Sequence, residues 1–483
     1  MTSPTTPPTT PPIVERRRWL LRSGATLAGA LGAGNVGNLL LGAREARAQS
    51  SGYKALVCIF LYGGNDGMNM IVPADTAGHA AYAGVRGGLA LPRASLVGFN
   101  ASYGLHPQMT ALAPVIAQGQ LAPVFNVGPL RQPLTKAQYT AAVPGTIPDS
   151  LFSHSDQQNL WENGTHSIME RTGWGGRAST AMATVNPVIS VGGTARFGSS
   201  ALQSPLVLPG PGATFGAYGL QPSDLTWAPN ALRKTAIDAL YAQSQGSELA
   251  DAYTRMQRDA FAMSQRLAAL VKVQPGDAGA SVALNTAFAP LIVNGAVTTG
   301  LGQQLYQIAK LIEANATVQG NRQIFFAQMG GFDMHSEQAV TGSPAEGAHG
   351  RKMKELADAL ACFHAAVKAI GLGPSVTAFT QSDFGRTFKP NSSNGTDHAW
   401  GNQQLVIGGA VRAGTYGRYP TLALGSADDV GTQSWELQGR WIPSTSVDQY
   451  AATLLGWFGA SDAQLDLVLP NLTNFAVRRL GFL

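Results

Sequence analysis

The chain of 483 residues has few cysteines and few charged side chains, with two Cys and 13% Asp, Glu, Lys and Arg together. Two cysteines exclude a disulfide framework as the source of stability. Cys58 and Cys362 both have apolar neighbours, which indicates buried core thiols. No basic run interleaved with aromatic residues follows the N-terminal leader, and this argues against nucleic acid as a partner. Internal repeats are also lacking, so these absences leave an apolar core as the source of stability.

The first 48 residues have the composition of an export signal. Arg16 and Arg17 precede an apolar stretch rich in Ala, Gly and Leu (residues 24–42), and Ala46-Arg47-Ala48 has the small-x-small pattern of a cleavage site. We interpret residues 1–48 as a twin-arginine signal peptide, which predicts a periplasmic or secreted protein and the Tat translocase as a partner during export. The alternative, a transmembrane anchor, is disfavoured by the glycines in the stretch. Residues 1–48 hold six Arg and two Glu, so their removal lowers the formal charge from +5 to +1.

Beyond the leader, continuous apolar runs alternate with segments of helical periodicity. Such runs are typical of parallel strands that are buried on both faces. The pattern predicts an α/β fold with a doubly wound, mostly parallel sheet between helices, formed by residues 49–483, with an inserted helical cap at about residues 230–318. The predicted strands are Lys54–Tyr62, Leu121–Val127, Pro187–Val191, Arg322–Gln328, Val376–Phe379 and Gln403–Ile407.

Four loops next to these strands combine glycine with aspartate or histidine. Asp66 follows the first strand, Asp333 and His335 follow the fourth, Asp383 follows the fifth, and His398 lies in the loop after it. Each loop taken alone also fits an Asx-turn or a helix cap. Open α/β sheets bind ligands at the carboxyl ends of their strands, and carboxylate with imidazole suits divalent metals. We therefore predict a metal centre formed by these five residues.

Candidate catalytic residues come from two further segments. Ser153 begins a predicted helix, where the positive end of the helix dipole and a nearby cation would lower the pKa of its hydroxyl group. A plain N-cap is the alternative role of Ser153, and Ser155 competes with it as the nucleophile. His154 is a third candidate in the same turn. Arg386 is the candidate for binding a substrate oxyanion because its guanidinium group binds phosphate or sulfate oxygens in pairs, and a surface ion pair is its alternative role.

The combination of motifs resembles a known family. The sequence is similar to the Tat-exported "domain of unknown function 1501" family, which belongs to the alkaline phosphatase and sulfatase superfamily. The resemblance implies an alkaline phosphatase-like fold with two metal sites, the first formed by Asp66, Ser153 and Asp383. The second would consist of Asp333, His335 and His398. The motifs that carry the resemblance are GGNDGMN (63–69), SHSDQQNLWENGT (153–165), TGWGGR (172–177), GGFDMHSEQ (330–338), SDFGRT (382–387) and NGTDHAWGN (394–402).

The sequence departs from the superfamily pattern at Phe384, where phosphatases have a histidine after the aspartate. One imidazole is therefore missing unless His154 or Asn65 replaces it. Our hypothesis is an exported hydrolase of phosphate or sulfate esters with Ser153 as nucleophile and a divalent ion (Ca, Mn, Zn or Mg) as cofactor. Its substrate would be an anionic small-molecule or glycan ester. The alternative is a non-catalytic binding or assembly protein with a degenerate metal site; a lipase-like esterase fits less well, because no Gly-Asp-Ser block precedes Gly63.

Overall fold

The computed structural model describes residues 52–243 and 246–483. The predicted signal peptide, residues 1–48, lies outside the described residues. The strands are β1 (Lys54–Leu61), β2 (Ile71–Pro73), β3 (Val97–Gly98), β4 (Tyr103–Leu105), β5 (Leu121–Gly128), β6 (Ile189–Ser190), β7 (Leu206–Val207), β8 (Ile292–Val293), β9 (Ala296–Val297), β10 (Arg322–Met329), β11 (Val376–Ser382), β12 (Asn402–Gly408) and β13 (Thr445–Ser446).

Helices connect and cover these strands. They are α1 (Gly67–Met70), α2 (Thr76–Arg86), α3 (Ala113–Ala117), α4 (Lys136–Thr140), α5 (His154–Asn163), α6 (Trp174–Ala181), α7 (Ala228–Ala242), α8 (Glu248–Lys272), α9 (Val282–Phe288), α10 (Gly300–Glu313), α11 (Asn315–Val318), α12 (Ala348–Ala369), α13 (Val447–Phe458) and α14 (Asp462–Val468). Within the described residues, no helix is both long and apolar enough to cross a membrane.

The central sheet has the strand order β13-β5-β12-β11-β1-β10-β6-β7. Strand β1 is parallel to both of its neighbours, so that Leu61 is level with Met329 of β10 and with Ser382 of β11. Strand β12 is antiparallel to β11 and to β5, whereas the other pairs in the sheet are parallel. This arrangement confirms the predicted α/β class with a mostly parallel sheet.

The side chains of β1 alternate between two hydrophobic cores, one on each face of the sheet. Val57 and Ile59 belong to the core that includes residues of α10 and α12, whereas Cys58 and Phe60 belong to the core that includes residues of α13. Because both faces are covered, the strand sequence is continuously apolar instead of alternating. Both cysteines are buried and free, as their apolar neighbours predicted.

The predicted helical cap at about residues 230–318 is more varied in the structure. Helices α7 to α11 lie in it, but the hairpin of β8 and β9 interrupts them. Helix α10 packs against β10 and α12 and buries Leu305, Ile308 and Leu311 in the same core as Val57 and Ile59. This last part of the segment is therefore a layer of the sandwich and not a cap above it.

Candidate metal centre

Three loops meet at the edge of the sheet where β1, β10 and β11 end. The loop after β1 contains Gly63 and Gly64, both with positive φ (110° and 75°). A Cβ atom on Gly63 would lie 2.5 Å from the backbone nitrogen of Asp333, and one on Gly64 would lie 2.4 Å from the ring of Phe384. Glycine is required at both positions because the loop backbone approaches the two neighbouring loops so closely.

His398 reaches the same edge by a different route. It precedes β12, and it lies at this edge only because β12 is antiparallel to β11 and starts where β11 ends. A parallel strand would have placed its preceding loop at the opposite edge. His154 comes from the first turn of α5, which lies over the same loops.

Three imidazole rings converge on one oxygen atom, Asp333 Oδ1. The Nε2 atoms of the rings lie near it, at 3.2 Å for His154, 3.0 Å for His335 and 3.4 Å for His398. His335 Nε2 and His398 Nε2 are themselves only 2.9 Å apart. The structure therefore brings together three of the five predicted ligands, Asp333, His335 and His398, and adds His154.

The other nitrogen of each ring, Nδ1, faces a hydrogen-bond acceptor. The acceptors are Asp383 Oδ2 at 2.7 Å from His154, Asp397 Oδ1 at 2.8 Å from His335, and the carbonyl oxygen of Phe152 at 2.7 Å from His398. In a neutral imidazole, the ring nitrogen that faces an acceptor carries the proton. In the neutral form of each ring, Nε2 therefore presents a lone pair towards Asp333, and in the protonated form it donates to that carboxylate.

Three lone pairs and a carboxylate oxygen at such short distances repel one another unless a cation lies among them. Metal-binding histidines usually donate their second ring N–H to a carboxylate or a backbone carbonyl, as all three do here. Ligand atoms of His154, Asp333 and His398 lie within 4.8 Å of one another, and His335 adjoins this set. The donor set of imidazole nitrogens and one carboxylate oxygen fits a borderline divalent ion such as zinc.

Charges within the cluster move the pKa values of its members. Burial raises the pKa of Asp333, but the hydrogen bond and charge of Arg386 and the charges of His154 and His335 outweigh burial and lower it to about 2. The hydrogen bond to Asp383 raises the pKa of His154. Burial lowers the pKa of His398. Asp333 is therefore ionised at neutral pH, as a metal ligand must be.

Asp383 occupies a position behind the ligands. Its side chain is fully buried, where it accepts hydrogen bonds from the backbone N–H of Gly63 at 3.1 Å, from Gln158 Nε2 at 3.0 Å and from His154 Nδ1. Its oxygens are therefore used to orient His154 and the loop after β1. We had predicted a direct ligand, and the structure instead gives Asp383 the position of a carboxylate that supports one.

Asp66 lies outside the cluster. Its buried carboxylate forms an ion pair with Arg86 and accepts a hydrogen bond of 2.5 Å from Gln338 Nε2. Burial raises the pKa of Asp66, but the charge of Arg86 and the other interactions outweigh this and lower it. The predicted convergence of five ligands is thus not observed for Asp66, because Arg86 from α2 neutralises its charge within the core.

Arg386 also differs from its predicted position. Its guanidinium group is buried and donates to the carbonyl oxygens of Gly64 at 2.8 Å and Thr396 at 3.1 Å. Further hydrogen bonds reach the carbonyl oxygens of Gly63 and Phe332 and the carboxylate of Asp333. With its nitrogens committed to three loops, Arg386 fixes Asp333 in place and is not exposed to a substrate.

Ser153 occupies the N-cap position of α5, as predicted. Its side chain makes no capping hydrogen bond, and its Oγ lies 3.3 Å from Ser155 Oγ. The two residues beside Ser153 both belong to the centre, since the Phe152 carbonyl holds His398 and His154 contacts Asp333. The hydroxyl group of Ser153 is thus not committed to the helix.

Phe384, which directly follows Asp383, packs against two of the histidines. Its ring centroid lies 4.7 Å from that of His154 and 4.6 Å from that of His398. Sequence reasoning missed Asp397, although it stands directly before His398 in the NGTDHAWGN motif. His154 was predicted as a catalytic residue and as one of two possible replacements for the missing imidazole, and the structure places its Nε2 atom beside Asp333.

The comparisons with known proteins give one clear match. Residues 53–436 match the family described as "Protein of unknown function (DUF1501)". The curated proteins contain no match. Among solved structures, the lipoteichoic acid synthase LtaP from Listeria monocytogenes is 9% identical with a TM-score of 0.32, covering 87% of this chain and 76% of that chain. The PsFucS1 sulfatase from Pseudoalteromonas sp. is 11% identical with a TM-score of 0.30, covering 88% of this chain and 72% of that chain. Neither TM-score supports an inference.

Proposed function

This chain belongs to the DUF1501 family of proteins of unknown function, and we propose that it is a metal-dependent hydrolase of phosphate or sulfate esters. The observation that carries the proposal is the convergence of three imidazole Nε2 atoms on Asp333 Oδ1. In their neutral forms the three rings direct Nε2 lone pairs at a carboxylate oxygen, and a set of four such acceptors suits a bound cation.

The residues that would hold the ion are His154, Asp333 and His398, with His335 beside them. A bound divalent ion polarises an ester oxygen and lowers the pKa of a hydroxyl group or water that contacts it. The protein supplies the rest: Asp383 and Asp397 hold two of the rings, and Arg386 holds Asp333. These supports keep His154, His335 and Asp333 in place before a substrate arrives.

Ser153 is our candidate for the nucleophile. In this reaction Ser153 Oγ attacks the phosphorus or sulfur atom, the alcohol of the ester leaves, and water then releases the group from the serine. The N-terminal end of α5 stabilises negative charge that develops next to it. Arg386 takes no part in binding the oxyanion in this proposal, because its donors are used inside the protein.

The test is a comparison of metal content and hydrolysis in purified protein. We expect the purified protein to retain a divalent metal and to hydrolyse 4-nitrophenyl phosphate or 4-nitrophenyl sulfate. Removal of the metal by a chelator should stop the hydrolysis. Ser153→Ala should abolish hydrolysis and keep the metal, while Ser155→Ala, the matched control, should keep most of both. Loss of activity in Ser155→Ala alone would move the nucleophile there. An active Ser153→Ala, Ser155→Ala double variant would assign the attack to water.

A second candidate is a metal-binding protein that does not turn over substrate. It is favoured by one observation, that the predicted oxyanion-binding group Arg386 is buried. Retained metal together with inactivity towards both ester classes would support this candidate. Protein that retains no metal after purification in metal-containing buffer would contradict both functions.

We further propose export by the twin-arginine route, from the pattern of residues 1–48. Replacing Arg16 and Arg17 by Lys keeps the charge but removes the guanidinium pair. We expect the precursor to accumulate in the cytoplasm, as measured by fractionation and immunoblotting. Normal export of this variant would point to a different route.

A further inference from the structure

A pocket lies next to His398, on the side of its Nδ1 atom and its backbone carbonyl. Its volume is about 520 Å³, within the usual range for pockets that bind small molecules. Its lining combines aromatic rings with one guanidinium group and one carboxylate. The lining includes Tyr139, Phe152, Thr432, Trp435, Glu436 and Arg440.

This pocket shares two residues with the support of the metal centre. The carbonyl oxygen of Phe152 accepts the Nδ1 hydrogen bond of His398, and Arg440 Nε donates to the carbonyl oxygen of His398 at 2.9 Å. The guanidinium carbon of Arg440 lies 5.0 Å from the centre of the Phe152 ring, within the range of a cation–π contact. The pocket therefore adjoins the metal centre through Phe152 and Arg440, which both contact His398.

Arg440 has donors to spare. Within residues 52–243 and 246–483, its guanidinium hydrogen-bonds through Nε, and neither Nη atom has a hydrogen-bond or salt-bridge partner. The nearby carboxylate of Glu436 is turned back onto its own loop, where it accepts from the backbone N–H groups of Thr432 and Gln433, each at 3.0 Å. The paired Nη donors of an arginine bind carboxylate, phosphate or sulfate oxygens in a fork.

Two aromatic side chains stand beside this cation. Trp435 is 74% exposed and Tyr139 is partly buried, and both line the pocket. Small-molecule pockets are lined mainly by apolar and aromatic side chains with a few polar groups that fix the orientation of the ligand. Glu436 remains the only other charged group of the lining, so it disfavours a second negative charge on the ligand here.

We propose that Arg440 and Trp435 bind the leaving part of the substrate, and that this part carries a ring and one negatively charged group. The proposal rests on the proposed hydrolase function for its role, since it places the scissile ester at the metal centre. It makes Arg440, and not Arg386, the residue that selects an anionic substrate. The binding itself requires neither metal nor turnover.

The test uses metal-free protein and two probes of the same shape, 2-naphthoate and its neutral counterpart 2-naphthamide. Calorimetric titration should show naphthoate bound about tenfold more tightly, a difference of about 1.4 kcal/mol, because its carboxylate oxygens accept from the paired Nη donors of Arg440. Arg440→Gln should remove this preference, whereas Arg351→Gln, on the exposed surface of α12, should keep it. Trp435→Ala should lower the affinity for both probes by the same factor.

Equal binding of the two probes by wild-type protein, or an unchanged preference in Arg440→Gln, would overturn the proposal. Arg440→Gln also loses a hydrogen bond to His398, so its fold is checked by thermal unfolding. If the variant does not fold, the test is made on wild-type protein with added sodium chloride. Salt should lower the affinity for naphthoate and leave the affinity for naphthamide unchanged. Since all arms use metal-free protein, an inactive enzyme leaves their outcome untouched.

Discussion

At the scale of single residues, the protonation of three imidazole rings defines the centre. Each ring is fixed by an acceptor behind it, so that the lone pairs face forward. The carboxylates of Asp383 and Asp397 are thus as important as the ligands, although neither is among the atoms that converge. Substitutions behind the ligands should therefore weaken metal binding without removing a ligand.

Asp397→Ala should lower the affinity for zinc about 10–100-fold, because His335 loses the acceptor that sets its ring orientation. Asp397→Asn should have a smaller effect, since its amide oxygen still accepts the N–H of His335. The affinity is measured by competition with a chromophoric chelator. Asp462→Ala, at an exposed ion pair with Arg479, is the control. Unchanged affinity in Asp397→Ala would show that His335 does not bind the metal.

Asp448 is a second residue whose pKa has a measurable consequence. Burial raises its pKa to about 7, and hydrogen bonds with Asn471 offset this only in part. Because the pKa of the folded state exceeds the unfolded value, the stability contributed by this group is complete below about pH 4 and is lost as the pH rises through about 7. The loss is about 1.4 kcal/mol per pKa unit.

Asp448→Asn should remove this pH dependence while keeping an acceptor for the N–H of Asn471, which lies 3.2 Å from Asp448 Oδ1. The free energy of unfolding of the variant, taken relative to that of wild type, should therefore be larger at pH 8 than at pH 4.5. Urea unfolding of both metal-free proteins at the two pH values gives the difference. A constant difference between the proteins would show that Asp448 is ionised in the folded state.

At the scale of elements, the centre depends on how closely the loop after β1 approaches the loop after β11. Gly64 and Phe384 are in contact across this boundary, and the Phe384 ring packs on two of the ligand rings. A displacement of one loop is therefore passed to His154 and His398. The same contact explains why a phenylalanine at position 384 is compatible with a metal centre: it supports the histidines instead of adding one.

Gly64→Ala should destabilise the protein and weaken zinc binding, because its Cβ would lie 2.4 Å from the Phe384 ring. Overpacking of this kind costs about 1–3 kcal/mol. Gly193→Ala is the matched control, since its φ is also positive (84°) but nothing lies within 4 Å of an added Cβ. Thermal unfolding and zinc titration are measured for both. Equal losses of stability in Gly64→Ala and Gly193→Ala would show that backbone strain, and not the contact with Phe384, is the cause.

At the scale of the whole molecule, the buried pair of Asp66 and Arg86 joins distant parts of the chain. Arg86 also donates to the carbonyl oxygens of Thr387 and Phe388, and Asp66 accepts from Gln338. The pair therefore links the loop after β1, helix α2 and the loops after β10 and β11. Removing one charge from such a pair leaves the other buried without compensation.

Arg86→Met should lower the free energy of unfolding by about 3–5 kcal/mol, and the double variant Asp66→Leu, Arg86→Met should be less destabilised. Asp66→Asn should keep the zinc stoichiometry of the folded protein, because Asp66 lies outside the cluster. Urea unfolding and metal analysis measure the two effects. A folded Asp66→Asn protein that binds no zinc would return Asp66 to the metal centre, as the sequence alone had predicted.

The sequence by itself determined the class of fold and the edge at which the centre lies. Apolar runs such as Lys54–Leu61 and the glycines after them act locally, so β1, β10 and β11 could be predicted and Asp333 and His335 placed at their ends. The family resemblance was likewise confirmed, because it rests on motifs of neighbouring residues. The sequence also marked His398 as a member of the centre.

Only the tertiary structure decided which polar groups face one another. Asp66 and Asp383 each follow an apolar strand in a loop that contains glycine, yet Arg86 neutralises the first and His154 is oriented by the second. Arg386 was predicted to bind a substrate oxyanion and is instead buried, because carbonyl groups from three loops surround it. Charge pairing and hydrogen bonding depend on partners tens to hundreds of residues away. Local sequence patterns therefore place a side chain at an edge but do not assign its partner.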